Sequence, residues 1–196
     1  MWDNRADQFT ENSAHYHTHL NGPLPGSNAN YYPPQLINLI KKANLVLHAG
    51  NLSNSADPGA YNNLLNLCNY YGCELRVADS DEQNITTINM LGIRIGLVHK
   101  AFEGYVFSES IAAEMAADRD LDVLVFGHLH EPIIVWNKNT NGKRRLLVCP
   151  GPGSNNAINE VPTNDTHKCP PYPTVVLLEI DNGDISSAEI VTVEWT

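Results

Sequence analysis

Two histidines two residues apart, His128 and His130, stand directly after Gly127 at the end of the apolar run Asp122-Val123-Leu124-Val125-Phe126. A neutral imidazole offers one ring nitrogen lone pair, so a His-x-His turn leaving a strand can aim two donors at one point. Taken alone, such a pair is as well explained by two hydrogen-bonded loop histidines. The chain repeats the arrangement, however. Apolar segments deliver His99 after Gly96-Leu97-Val98, Asp79 after Ala78 and Asn51 after Gly50, and a weaker first segment delivers His17 and His19. Imidazole, carboxylate and amide oxygen are together the donors that Zn, Mn and Fe accept, and two such ions can clamp a phosphoryl group. The ordered set points to one metal site rather than to unrelated loop residues.

The elements that must position these residues follow from the apolar pattern. Asp122 to Phe126 and Asn44 to Ala49 are continuous apolar runs that break into Gly plus a polar residue, the pattern of buried parallel strands. Open α/β sheets place their ligands at such carboxyl ends. Gln35 to Lys42 has helical spacing with basic residues in its last turn, Pro58 to Tyr71 is a helix stopped by Gly72, and Glu109 to Asp118 is an Ala-rich helix. Glu74 to Ala78 is a short strand, and Thr86 to Met90 with Ile93 to Val98 forms a hairpin across Leu91-Gly92. After His130 the pattern changes: Ile133 to Asn137, Arg145 to Cys149, Thr174 to Ile180 and Ile185 to Val193 read as successive antiparallel strands, with turns at Asn139 to Lys143 and Asp181 to Asp184. Residues 1–34 are polar and rich in Asn, Gly and Pro, and Ser13 to His19 is their only candidate strand. A βαβ first half and a strand-rich second half predict an α/β fold, a two-sheet β-sandwich flanked by helices. No linker divides the chain, so one domain over 1–196 is expected, with a long polar loop from Asn155 to Pro173.

Composition narrows the function classes. A hydrophobic fraction of 42% with 17% charged residues suits a packed domain. Twelve Lys and Arg against 22 Asp and Glu leave a net charge of −10, which argues against a nucleic-acid or anionic-membrane surface. Cys68, Cys73, Cys149 and Cys169 form no paired zinc motif, and their expected state is reduced, as in the cytosol. Residues 1–12 are interrupted by charges and do not read as a signal peptide, and no run approaches the ~18 apolar residues of a membrane span.

These strand ends resemble the calcineurin-like metallophosphoesterases, whose pattern is a D-x-H strand end, then G-D, G-N, a lone His and G-H-x-H. Gly50-Asn51 falls on the second element, Ala78-Asp79 on the third, His99 on the fourth and Gly127-His128-Leu129-His130 on the last. Pro152-Gly153-Ser154 is similar to the family's N-P-G-S turn. Within the family the likeness is strongest to the small subunit of the retromer sorting complex, which also has G-N-L where the enzymes have G-D. It is carried by Gly50-Asn51-Leu52, Asp79-Ser80-Asp81-Glu82, Ile93 to His99, Asp120 to Leu124 and Pro173 to Ile180.

Two ligand positions depart from the enzymes' pattern, and both departures remove negative charge. Asn51 stands where the family has its metal-bridging Asp, and the opening Asp falls at His17, with His19 as the motif's His. Two divalent ions ~3.5–4 Å apart repel on the order of 15–20 kcal/mol at an effective dielectric of ~20. A bridging carboxylate offsets much of that, and a neutral amide does not. Lys100 also follows the lone His where the family usually has Gly. The resemblance therefore implies at most one divalent ion, Zn or Mn, held among Asn51, Asp79, His99, His128, His130, His17 and His19. It implies a non-catalytic scaffold in endosome-to-Golgi sorting, cytoplasmic and peripheral on endosomes. Its partners would be regulators and the complex's large helical-solenoid subunit, the vacuolar protein sorting-associated protein 35-like chain. Phe102, Tyr105 and Phe107, beside the pocket, are the candidate partner-binding residues, though an apolar loop segment is as often a core plug. The rival expectation is a metal-dependent phosphodiesterase or phosphomonoesterase using Asp79, His99, His128 and His130. A third is an orphan domain that keeps its histidines for packing.

Overall fold

The computed structural model describes residues 13–18, 32–50, 52, 58–79, 84–102, 106–138, 142–153 and 170–194. Strand β2 (Leu45–His48) is buried at every position, as a strand covered on both faces must be. Leu45 and Leu47 enter the layer between the two sheets, and Val46 packs under helices on the other side. On one flank β2 pairs in parallel with β3 (Glu74–Val77), the sheet's edge. On the other it pairs in parallel with β1 (Ser13–Thr18), so the expected first strand exists over those residues and is central. Strand β9 (Thr174–Asp181) runs antiparallel to β1, and β10 (Asp184–Thr192) closes the order β10-β9-β1-β2-β3.

The second sheet has the order β4-β5-β6-β8-β7, built from β4 (Thr86–Met90), β5 (Ile93–Val98), β6 (Val123–Phe126), β7 (Pro132–Lys138) and β8 (Arg144–Pro150). Strands β5, β6 and β8 are parallel, with antiparallel edges at β4 and β7. Leu45, Leu47, Ile95, Leu97, Val123, Val125, Leu146 and Leu178 fill the space between the sheets. Helices α1 (Pro34–Ile40) and α2 (Pro58–Tyr71) cover the first sheet, and α3 (Glu109–Asp118) covers the second. The result is the expected two-sheet α/β sandwich.

Two expectations are corrected. The last four strands are not one antiparallel succession: β7 and β8 pair in the second sheet, β9 and β10 in the first, and β8 runs parallel to β6. Helix α1 ends at Ile40, and Lys41 is its C-cap, so no basic residue lies in its last turn. The hairpin turns carry the positive φ that tight hairpins need. Leu91 and Gly92 have φ of 48° and 87°, and Asn182 and Gly183 have 51° and 81°. At the sandwich end away from the strand carboxyl termini, Asp122 accepts from Arg94 N–H at 2.9 Å and pairs with Lys143 at 3.0 Å. Buried Arg145 donates to Leu121 O at 3.1 Å. These contacts gather the starts of β5, β6 and β8, which sets their carboxyl ends level with one another.

His48, the last residue of β2, is fully buried, and neither ring nitrogen reaches a hydrogen-bond partner. Burial, with a smaller push from His99 and a slight opposing pull from the Gly50 backbone, lowers its pKa to about 3. The folded protein thus resists protonation that the unfolded chain accepts near its ordinary value. The associated stability is complete above pH ~6.5 and is lost as the pH falls toward about 3. Fully expressed, that difference is on the order of 5 kcal/mol. Replacing an unpaired buried ring by an apolar side chain also removes a desolvation penalty of ~1 kcal/mol or more. His48→Leu is therefore expected to raise the thermal midpoint at pH 7 and to flatten its decline between pH 6.5 and 4. A variant whose midpoint falls with pH as steeply as the parent's would exclude His48 as the source.

Candidate metal centre

Strands β2, β3, β5 and β6 bring their carboxyl ends to one side of the sandwich. There His99 Nδ1 lies 2.6 Å from Ala49 O. A carbonyl only accepts, so Nδ1 carries the proton and Nε2 is the ring's acceptor nitrogen, the tautomer that a carbonyl partner fixes in metal-binding histidines. The His99 ring can come so close only because residue 50 is Gly. A Cβ there would sit 2.1 Å from His99 Nδ1, and Gly50 has a φ of +110°. Gly127 N–H donates to His99 O at 3.0 Å, tying the end of β6 to that of β5. The His99 and His128 rings then meet edge to face, with centroids 5.5 Å apart.

The loop after β6 is strained at both histidines. His128 has φ of 69° and His130 of 55°, and Leu129 N–H donates back to Gly127 O at 2.9 Å. A bond from residue i+2 to residue i around a positive central φ is the less common, strained γ-turn. Non-glycine residues held at such angles cost of order 1–3 kcal/mol each. What holds them is packing: Leu129 is buried in the core under α3, and His130 is buried beside it.

Among the expected ligands, His99 and His128 are in ring contact, and His130 is buried two residues farther along the same loop. Asp79 follows β3 through Ala78, whose N–H donates to His48 O at 2.7 Å, but Asp79 itself is exposed. His17 is the penultimate residue of β1, level in register with Val46. Asn51, His19 and Tyr105 lie outside the described residues. Among the described residues, no group of three or more His, Cys, Asp or Glu could hold a metal ion. Neutral imidazoles suit Zn, whereas Mn asks for carboxylate or carbonyl oxygen; the described residues supply a two-histidine corner, and an ion there would need further donors.

Phe102 is buried edge to face against Phe126 at 5.3 Å, and half-buried Phe107 stacks on Phe126 at 5.8 Å, so both rings pack against the core under α3. His48 and the positioning Gly50 were not among the expected site residues. The signal for Gly50 was its place before Asn51, and a buried strand-end His gives no signal of its own.

The family model for the calcineurin-like phosphoesterase superfamily domain matches residues 17–183. The chain belongs to that superfamily. Among solved structures, it is similar to Vps29 of Entamoeba histolytica complexed with Zn2+, at 20% identity and a TM-score of 0.59 over 92% of this chain and 99% of that one. It is similar to Vps29 of Cryptosporidium parvum at 15% identity and a TM-score of 0.60, over 93% and 100% of the two chains. A predicted phosphoesterase of Streptococcus pneumoniae matches at 15% identity and a TM-score of 0.54, over 92% and 90%. These likenesses establish the fold. No curated protein matches the sequence.

The closeness of Gly50 and His99 gives a direct test of how the corner is built. Gly50→Ala is expected to destabilise the protein by about 3 kcal/mol, because strain at φ +110° adds to an overlap that His99 must retreat from. The His99 imidazole NMR signals should shift with it. A variant of unchanged stability and unchanged His99 signals would show that the ring does not depend on residue 50.

Proposed function

We propose that this chain is a single-domain, non-catalytic scaffold subunit of a retromer-like complex in endosome-to-Golgi protein sorting. The observation that carries the reading is Asn51 at the position of the family's metal-bridging Asp. Without that carboxylate a paired-ion site lacks the charge that holds two cations together. The exposure of Asp79 and the likeness in fold to Vps29 structures support the same reading. The residues proposed to hold one divalent ion, Zn or Mn, are His99, His128 and His130 with Asp79, Asn51, His19 and His17. The proposed partners are a large helical-solenoid subunit, the vacuolar protein sorting-associated protein 35-like chain, and regulators of the complex. The proposed location is cytoplasmic, on endosomal membranes through the complex. Among the described residues no helix is long and apolar enough to cross a membrane.

A second reading, a metal-dependent phosphodiesterase or phosphomonoesterase, is favoured by the kept histidine corner and by the likeness to a predicted phosphoesterase. Hydrolysis of bis-p-nitrophenyl phosphate with added Mn or Zn separates the two. The scaffold reading expects no turnover above the buffer with either metal, and co-purification with a helical-solenoid partner. Its metal titration should saturate at one ion or fewer per chain. Turnover that disappears in His128→Ala would establish the esterase instead. Absence of both turnover and a solenoid partner would leave the orphan-domain reading.

A further inference from the structure

Helix α2 ends in a two-bond cap that brings two cysteines together. Gly72, with φ of +75°, donates its N–H to Asn69 O at 3.2 Å, and Cys73 donates its N–H to Cys68 O at 2.9 Å. These are the paired hydrogen bonds of a Schellman motif, which places the side chains at the positions of Cys68 and Cys73 in contact. Such contacts are ordinarily between apolar side chains. Here both are thiols. Both are reduced and buried in the core between α2 and the first sheet, remote in sequence from every candidate metal ligand except Asp79.

We propose that Cys68 and Cys73 are a redox-active thiol pair that closes to an intramolecular disulfide by exchange with a small disulfide of the glutathione class. Access assigns the roles: Cys73 is 5% exposed against 0% for Cys68, so it is the sulfur that a small disulfide reaches first, and it attacks as the thiolate. The influence of each thiol on the other runs the same way, pushing the pKa of Cys68 up, with burial adding to it, and drawing that of Cys73 down. Cys73 directly precedes edge strand β3, and Tyr70 beside it in the last turn is 80% exposed. Local opening of this helix end would uncover the sulfur without unfolding the sandwich.

The exchange balances in two steps. The Cys73 thiolate attacks one sulfur of oxidised glutathione, forming a mixed disulfide and expelling one glutathione thiolate, which takes up the Cys68 proton. The Cys68 thiolate then attacks the Cys73 sulfur, forming the intramolecular S–S bond and expelling the second glutathione. Two protein thiols lose two electrons and two protons, and the small disulfide gains both. The new bond closes a six-residue loop around Gly72 and fixes the last turn of α2 to the strand that leads to Asp79.

Tryptic peptide mapping of the intact, folded protein reads this directly. Residues 43–76 form one tryptic peptide that contains Cys68 and Cys73 and neither Cys149 nor Cys169. After incubation with excess oxidised glutathione and blocking of free thiols, this peptide is expected unalkylated and about 2 Da lighter than its dithiol form. The oxidised protein should gain roughly 5 °C in thermal midpoint over the reduced one. Cys68→Ser should stop at a glutathione adduct on Cys73, and Cys73→Ser should abolish both the mass loss and the stabilisation. Cys68→Ala, with an apolar side chain, keeps the test readable if the hydroxyl variants unfold. A parent peptide that stays doubly alkylated, one that stops at the glutathione adduct, or closure only under denaturing conditions would each overturn the proposal.

Discussion

The 2.6 Å contact from His99 Nδ1 to Ala49 O joins the two sheets where their functional ends meet. Ala49 leaves β2 of the first sheet and His99 leaves β5 of the second. Everything else at this end is arranged around the contact. Gly50 gives up its side chain and takes a positive φ to admit the ring. The His99 backbone carbonyl holds Gly127, which places the ring of His128 against that of His99. A single imidazole thus acts through both ring and backbone to fix the relation between three strand ends.

Much of this was legible in the sequence, because strands buried on both faces leave continuous apolar runs and their exits leave glycines. Leu45 to His48 and Val123 to Phe126 are such strands. Pairing between distant strands was not legible in the same way. Alternation along β7 to β10 marks strands but not the sheet to which each belongs, so two hairpins in different sheets look like one succession. β1 lies at the other extreme. Ser-Ala-His-Tyr-His-Thr carries little strand propensity, yet it is central because β2 and β9 offer it two rows of backbone partners. Phe102 illustrates a third limit: an apolar loop residue reads alike whether it faces a partner or, as here, closes the core beneath α3.

The candidate centre was legible as a set of donors but not as a geometry. Sequence order places His99, His128, His130 and Asp79 at strand ends, and the fold does bring those ends to one side. Whether donors converge depends on distances of a few tenths of an ångström that loop chemistry sets. The histidine corner is fixed by hydrogen bonds and packing, whereas Asp79 stands exposed beyond edge strand β3. An edge strand has one neighbour to position its exit, and a central strand has two.

That difference bears on why the Gly127-His128-Leu129-His130 turn keeps two residues at strained angles. Such strain is often read as a mark of catalysis, because active sites are where it accumulates. In this turn Leu129 is buried with Phe126 and Phe102, and the Leu129 N–H to Gly127 O bond shapes the backbone on either side of it. The positive φ at His128 and His130 is then required to put Leu129 into the core and return the chain to β7, whether or not an ion binds. The strained turn can therefore persist without an ion, and its presence is compatible with a scaffold. Charge is the more discriminating feature. Two cations need carboxylate between them, and the residue that the sequence likeness sets against the family's bridging Asp is an amide, Asn51.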